Sequence, residues 1–180
     1  IPEPYGGNGL GFLAHVLISE EIARVHSAIR VHLNMQAGPA VTLYEFGNEE
    51  QKKKYLPGLL NGESIGLFAI TEPGAGSDVA AMKTTAKRVG NHYLLNGTKI
   101  WITNATVADA GVIFAYTDRS QKHRGMSAFY AELNQPSVIR RDLDKLGAHA
   151  TPTGELTFDN FKLPAENLIG QEGDGFKICM

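Results

Sequence analysis

The chain has 180 residues, of which 43% are hydrophobic and 20% charged, with a formal net charge of −2. This is an ordinary globular composition, long enough for one good core or for one domain and part of another. The near-neutral balance gives no electrostatic basis for binding nucleic acid or an acidic membrane surface, and no apolar run approaches the roughly 20 residues that span a bilayer. A lone cysteine, Cys179, excludes an internal disulfide and points to a reducing compartment. The six histidines show no metal-ligand spacing, since His26 and His32 cannot share a helix face, and no metal site is expected.

The first nine residues read as a Pro/Gly loop without a signal-peptide pattern. Apolar residues Leu13, Val16, Leu17, Ala23, Ala28 and Val31 then recur at helical spacing and predict one helix over 11–35, ended by Gly38-Pro39. After a short segment, Asn48 and Gln51 form a capping-box pattern for a helix through Leu56, with Lys52–Lys54 on a solvated face and Gly58 and Gly62 breaking its continuation.

From Ser64 the period becomes extended. Lys83–Val89 and His92–Leu95 read as a hairpin across Gly90-Asn91, and Asn96-Gly97 reads as a tight turn leading into Lys99–Thr103. Val112–Thr117, Met126–Leu133, Ser137–Asp142 and Gly154–Lys162 continue the series, and Ser120–Gly125 reads as a mobile polar loop. Short strands at this spacing predict an antiparallel β-sandwich or barrel. The expected organisation is α+β: helices over 1–62, a β domain over 63–172, and a new helix over 173–180.

The chain is organised around Ile65–Asp78, IGLFAITEPGAGSD. An apolar strand runs into Pro73, which favours extended geometry at Glu72, and then into Gly74 and Gly76, which allow unusual backbone angles and close approach of another body. Ser77 and Asp78 suit a helix cap or a turn. Such a turn can offer N–H groups to an anion. The dinucleotide pattern G-x-G-x-x-G fails, because its third glycine position is Val79. On this stretch alone, a plain strand and surface turn is the better reading.

A second stretch, Lys99–Ala105, reads KIWITNA and carries the only tryptophan. Together, TEPGAGSD and WITNA resemble the two flavin-binding signatures of the acyl-CoA dehydrogenase family, in that family's order. Leu43–Gly62 resembles its helix pair before the first signature, and Asp142–Met180 its last β strands and the entry to a C-terminal helical domain. The resemblance covers essentially the whole chain. It implies a fragment of a longer polypeptide, with the family's C-terminal helical domain and its catalytic Glu beyond residue 180.

The resemblance further implies an FAD-dependent enzyme that removes hydrogen from the α and β carbons of an acyl-CoA. It places Phe68, Ala69, Ile70 and Thr71 along the flavin ring, Gly76 and Ser77 near cofactor and acyl chain, Trp101 over the ring with Ile102 beside it, and the Thr103 hydroxyl toward flavin N5. Each is chemically apt: a fused aromatic ring suits an apolar strand and an indole face, and a flavin gaining charge suits N–H and O–H donors. Glu72 is assigned a structural role, bonding loop backbone.

Glu21–Asn34 resembles the helix that closes the acyl pocket. Arg30 falls where the glutaryl-CoA-specific branch carries an Arg, with Val31 and Asn34 beside it, so these three with Ser77 are the substrate candidates. Val31 stands where decarboxylating relatives carry a hydroxyl residue, which leaves decarboxylation open. The implied partners are an acyl-CoA, most simply glutaryl-CoA, an electron-transfer flavoprotein as acceptor, and further copies of the chain in a tetramer. The implied compartment is the cytoplasm of a bacterium or the mitochondrial matrix. A dehydrogenase of another short, branched or alicyclic acyl-CoA is the alternative, and a non-catalytic β-sandwich binding module the remoter one.

Overall fold

Apolar periodicity in the first third of the chain builds three helices, α1 Phe12–Val25, α2 Ser27–Phe46 and α3 Glu49–Leu60, in a computed structural model that describes all of residues 1–180. The capping box forms as expected: Asn48 Oδ1 accepts from the Gln51 N–H at 2.8 Å, and Gln51 Oε1 accepts from the Asn48 N–H at 3.0 Å.

The helix boundaries differ from the sequence reading in three places. The expected single helix over 11–35 breaks at His26, which is extended at φ −156° and ψ 108°. Both pieces carry an apolar stripe, so the period continues across a break it cannot register. Gly38-Pro39 does not end α2. Pro39 is buried inside it, and Ala40 and Leu43 beyond it are 1% and 0% exposed. Core burial of that last stretch outweighs the roughly 3 kcal/mol that a mid-helix proline costs. Likewise α3 continues past Leu56 through Pro57 and Gly58, because Leu59 is also a core residue.

The rest of the chain forms one mixed sheet. Its strands are β1 Gly66–Ala69, β2 Thr85–Val89, β3 His92–Thr103, β4 Ala110–Tyr116, β5 Met126–Glu132, β6 Val138–Asp142, β7 Thr153–Pro164 and β8 Leu168–Ile169, followed by α4, Gly175–Cys179. The order is β6-β7-β3-β2-β4-β5-β8, and β1 pairs with β4. Most neighbours are antiparallel, including the expected β2–β3 hairpin, but β1–β4 and the single pair between β2 and β4 are parallel. The segment Arg119–Gly125 forms short 3-10 turns across a kink at Lys122, and Asp118 caps the first, its side chain accepting from the Ser120 N–H.

Asn96-Gly97 is not a turn. β3 runs through it, with a bulge against β7. A turn would need the flanking halves to pair with each other, and both pair with β7 instead. Gly97 has φ 147°, and a Cβ there would lie 2.4 Å from Thr84 Oγ1, so this glycine serves close packing.

The sheet carries a core on each side. Leu67, Ala69, Leu95, Ile113, Phe129, Leu156 and Phe161 belong to an inner core enclosed by the strands. Val112, Phe114, Tyr116, Tyr130, Leu43, Leu56 and Leu59 belong to a second core between the sheet and the helices. β4 serves both, which explains its unbroken apolar sequence AGVIFAY.

Candidate functional site

Side chains alternate along β1 and the residue after it. Leu67 and Ala69 point into the inner core, while Phe68 and Ile70 pack on the helical side, with the Phe68 ring 5.0 Å from that of Phe114. The chain then folds back at once. Glu72 and Ala75 exchange two backbone hydrogen bonds of 3.0 Å around Pro73-Gly74. Gly74 and Gly76 do not have positive φ, so the expectation of unusual backbone angles fails. Close approach survives: a Cβ on either glycine would meet nothing within 4 Å, and Gly76 and Ser77 are exposed. Asp78 precedes a three-residue 3-10 turn without a side-chain capping bond, so of the cap or turn expected at Ser77-Asp78 it is the turn that forms.

The end of β3 lies against this turn. The Ile100 N–H donates to the Thr71 carbonyl at 2.9 Å. Lys99 Nζ donates to Glu72 Oε1 at 2.8 Å and to the Ile70 carbonyl at 3.1 Å. Asn104 Nδ2 donates to the Gly66 carbonyl at 3.0 Å. The two signature stretches are therefore joined at three points, although β1 and β3 share no ladder.

Between those points stands Trp101. It is 58% exposed and has φ 61°, at a register break in the β3–β7 ladder between Lys99 and Ile102. Left-handed backbone at a bulky aromatic costs on the order of 1–3 kcal/mol and clusters at functional sites. Thr103 is half-buried and pairs with Thr153, and its hydroxyl has no partner within the chain. Ile102 is 3% exposed and turns into the inner core, as Ala69 does. These two expected cofactor residues can offer a ligand only their backbone.

Glu72 has the expected structural role. Besides Lys99 it accepts from the backbone N–H groups of Lys83 and of Thr84, the latter at 3.0 Å. Burial pushes its carboxyl up, but the Lys99 ammonium and these donors outweigh burial and hold it below the usual carboxylate value. Lys99, fully buried, is pushed down to about 8 by loss of water, with the Glu72 carboxylate pulling the other way. Sequence reasoning missed Lys99. The available signal was parity: Lys99 falls on the same face of β3 as the buried Tyr93 and Leu95.

On α2, Arg30, Val31 and Asn34 are all half-buried. No carboxylate lies within 4.0 Å of the Arg30 guanidinium, and Asn34 Oδ1 accepts from Ser19 Oγ on α1 at 3.4 Å. Farther along the helix, Ala37, Gly38 and Val41 line a largely apolar cavity of about 660 Å³ with Phe68, Leu10 and Ile18. Arg30 is not part of its wall and lies about 10 Å along the helix axis from Ala37. Contacts do connect α2 to the end of β3. His32 Nε2 is 3.3 Å from the Ala150 carbonyl, and the Asn104 N–H donates to the Pro152 carbonyl at 2.9 Å. The segment 143–152 thus joins α2, at the residue after Val31, to the end of the strand of Trp101 and Thr103.

The residues present fit a flavin. An exposed indole is held in a strained conformation, the turn after β1 leaves its glycine backbone open, and the hydroxyls of Ser77 and Thr103 are unused by the fold. Comparison with known proteins agrees. Residues 1–63 match the acyl-CoA dehydrogenase N-terminal domain, and residues 67–161 the acyl-CoA dehydrogenase middle domain. A glutaryl-CoA dehydrogenase of Desulfococcus multivorans is 53% identical over 99% of this chain and 47% of its own length. Among solved structures, a glutaryl-coenzyme A dehydrogenase in complex with glutaryl-CoA superposes with a TM-score of 0.97 at 52% identity, over 99% of this chain and 46% of that one. An acyl-CoA dehydrogenase of Bacillus anthracis complexed with FAD gives 0.90 at 38% identity, over 99% and 30%. The chain spans about half the length of the curated relative it matches. By these two domain matches and by its paired signature stretches, this chain belongs to the acyl-CoA dehydrogenase family.

Proposed function

We propose that this chain provides the flavin-binding and acyl-binding surfaces of an FAD-dependent dehydrogenase acting on a short acyl-CoA, with glutaryl-CoA as substrate. When bound, FAD supplies the acceptor for hydride leaving the acyl β carbon. Trp101 covers the ring and keeps water from that face, and the Thr103 hydroxyl donates a hydrogen bond where negative charge builds up. Main-chain N–H groups around Thr71, Gly76 and Ser77 orient cofactor and thioester. Glu72 is not the base that removes the α proton, because its oxygens are buried and already accept from Lys99, Lys83 and Thr84.

The observation that carries the substrate is Arg30, a half-buried residue whose guanidinium has no carboxylate of the protein beside it. A planar guanidinium in that state matches a carboxylate at the far end of the acyl chain. An electron-transfer flavoprotein as acceptor, a homotetramer, and a place in bacterial cytoplasm or mitochondrial matrix belong to the same reading and rest on family membership. A dehydrogenase of another short, branched or alicyclic acyl-CoA is the second reading, favoured by the apolar surroundings of Phe68 and α2. The exposed, strained Trp101 argues against a module that binds without catalysis.

The test is anaerobic reduction of full-length protein by glutaryl-CoA, butyryl-CoA and isovaleryl-CoA, followed by loss of flavin colour. Fastest bleaching by glutaryl-CoA supports the assignment. Faster bleaching by an uncharged acyl chain moves the substrate to the second reading, and colourless protein that takes up no FAD removes both.

A further inference from the structure

Lys99 is an expensive residue in its position. Its side chain is 0% exposed and that of its partner Glu72 is 5% exposed. Replacing a buried ion pair by apolar side chains of similar volume is often neutral or stabilising, so stability alone does not account for this pair. Its directions do. The ammonium has three N–H donors. One meets the Glu72 carboxylate and one the Ile70 carbonyl, and the nearest further acceptor is Met82 Sδ at 3.9 Å. Glu72 extends the set to the backbone of Lys83 and Thr84. The ammonium therefore ties β3 to residues 70 and 72, and the Glu72 carboxylate carries the tie to residues 83 and 84 beyond the turn.

The anchor stands where the sheet gives least support. β3 pairs with β7 at Lys99–Leu156 and again at Ile102–Gly154, so Ile100 and Trp101 face a single residue, Glu155. That stretch is held from the side, by the Ile100–Thr71 bond and by Lys99 immediately before it.

We propose that Lys99 is a positioning residue that, through Glu72 and the Ile70 carbonyl, fixes the main chain of residues 70–72 against that of Ile100 and Trp101, so that the two stretches meeting the flavin keep one relative position. This rests on reading that surface as the flavin site. Neutral side chains of the same size would keep the core filled and lose the fixed geometry.

The experiment compares full-length wild type with Lys99→Met/Glu72→Gln, which removes both charges together. Trp101 is the sole tryptophan, so its anisotropy and its quenching by acrylamide in cofactor-free protein report this segment directly. The double variant is expected to melt close to wild type, with lower Trp101 anisotropy, stronger quenching and FAD affinity reduced about tenfold, or 1.4 kcal/mol. Unchanged Trp101 signals and FAD affinity overturn the proposal, whatever the melting temperature, since a merely structural pair would move only the melt. If wild type binds no FAD while Trp101 still loosens in the variant, the strut stands and the cofactor reading falls. If the variant does not fold, wild type itself serves. Glu72 is the charged group that meets Lys99, and Met82 and Leu156 are its neutral neighbours on the adjoining elements. Raising the pH from about 8 past the ordinary lysine value of 10.5 then neutralises the ammonium and should increase Trp101 quenching, and a response flat across that whole range overturns the proposal.

Discussion

Ile100 and Thr71 meet through a backbone hydrogen bond of 2.9 Å, across a gap that no ladder spans. It sets the residues that follow Ile100 directly beside those that follow β1. The Thr103 hydroxyl, unused within the chain, stands three residues on. Thr103→Val keeps the β-branched shape and removes the donor. A main donor to developing charge is typically worth about 10²–10³ in rate, and flavin reduction should slow toward the lower end of that range. Stopped-flow reduction at equal FAD occupancy checks this; an unchanged rate removes Thr103 from the site.

Trp101 offers a test in which fold and function move in opposite directions. Left-handed backbone costs a non-glycine residue roughly 1–2 kcal/mol, and glycine removes that cost while adding about 0.5–1 kcal/mol of chain entropy. The indole is largely exposed, so little packing is lost. Trp101→Gly should therefore melt within a few degrees of wild type while FAD affinity drops clearly. Calorimetry beside flavin titration reads both. A large fall in melting temperature would mean that the indole belongs to the fold.

Arg30→Gln tests the substrate. Removing one member of a desolvated charge pair typically costs roughly 2–5 kcal/mol, because the other charge is left unpaired. The variant should lose well over about tenfold in kcat/KM for glutaryl-CoA, a conservative bound given 1.4 kcal/mol per factor of ten. Butyryl-CoA, which has no distal charge, should be almost unaffected. Equal losses on both substrates would indicate general damage to α2 and leave the acyl group open.

The buried pair has opposite signs at the two ends of the pH scale. Glu72 sits below its ordinary 4.5 in the folded protein, so its contribution is complete above that value and is lost as the pH falls through the lower folded one. Lys99 titrates near 8 when folded and 10.5 when unfolded. Between those values the unfolded chain binds more protons, so the Lys99 contribution to stability rises with pH. The melting temperature of wild type minus that of Lys99→Met should accordingly climb from pH 8 to 10.5. A constant difference would mean that Lys99 keeps an ordinary pKa.

Much of the architecture was legible in the sequence because local rules and tertiary packing agree there. The capping box at Asn48 and the hairpin at Gly90-Asn91 are cases. Three of the failures share one cause, which is tertiary context overriding a local signal. Gly38-Pro39 and Gly58 read as stops, yet Leu43 and Leu59 must reach the core. Asn96-Gly97 reads as a turn, yet β7 offers both flanks a partner. At the site, the two signature stretches were legible as motifs and their physical joint was not. Lys99, Asn104 and the Ile100–Thr71 bond link residues far apart in sequence, and no local pattern announces such contacts. The left-handed geometry of Trp101 was equally hidden, since nothing in WITNA demands it.

The glycines of this chain divide by what they would collide with. At Gly97 an added methyl would strike Thr84, and at Gly154 it would fall 2.4 Å from the Arg141 carbonyl oxygen. Alanine at either will be discarded by any screen that asks whether the protein folds. At Gly74 and Gly76 an added methyl meets empty space at ordinary backbone angles, so the same screen will pass it. If the turn meets flavin as proposed, the cost there is expected in FAD affinity and not in the melt. A variant ranking built on abundance or melting temperature would therefore score the TEPGAGSD turn as tolerant, and would miss any change there that acts through the proposed flavin site.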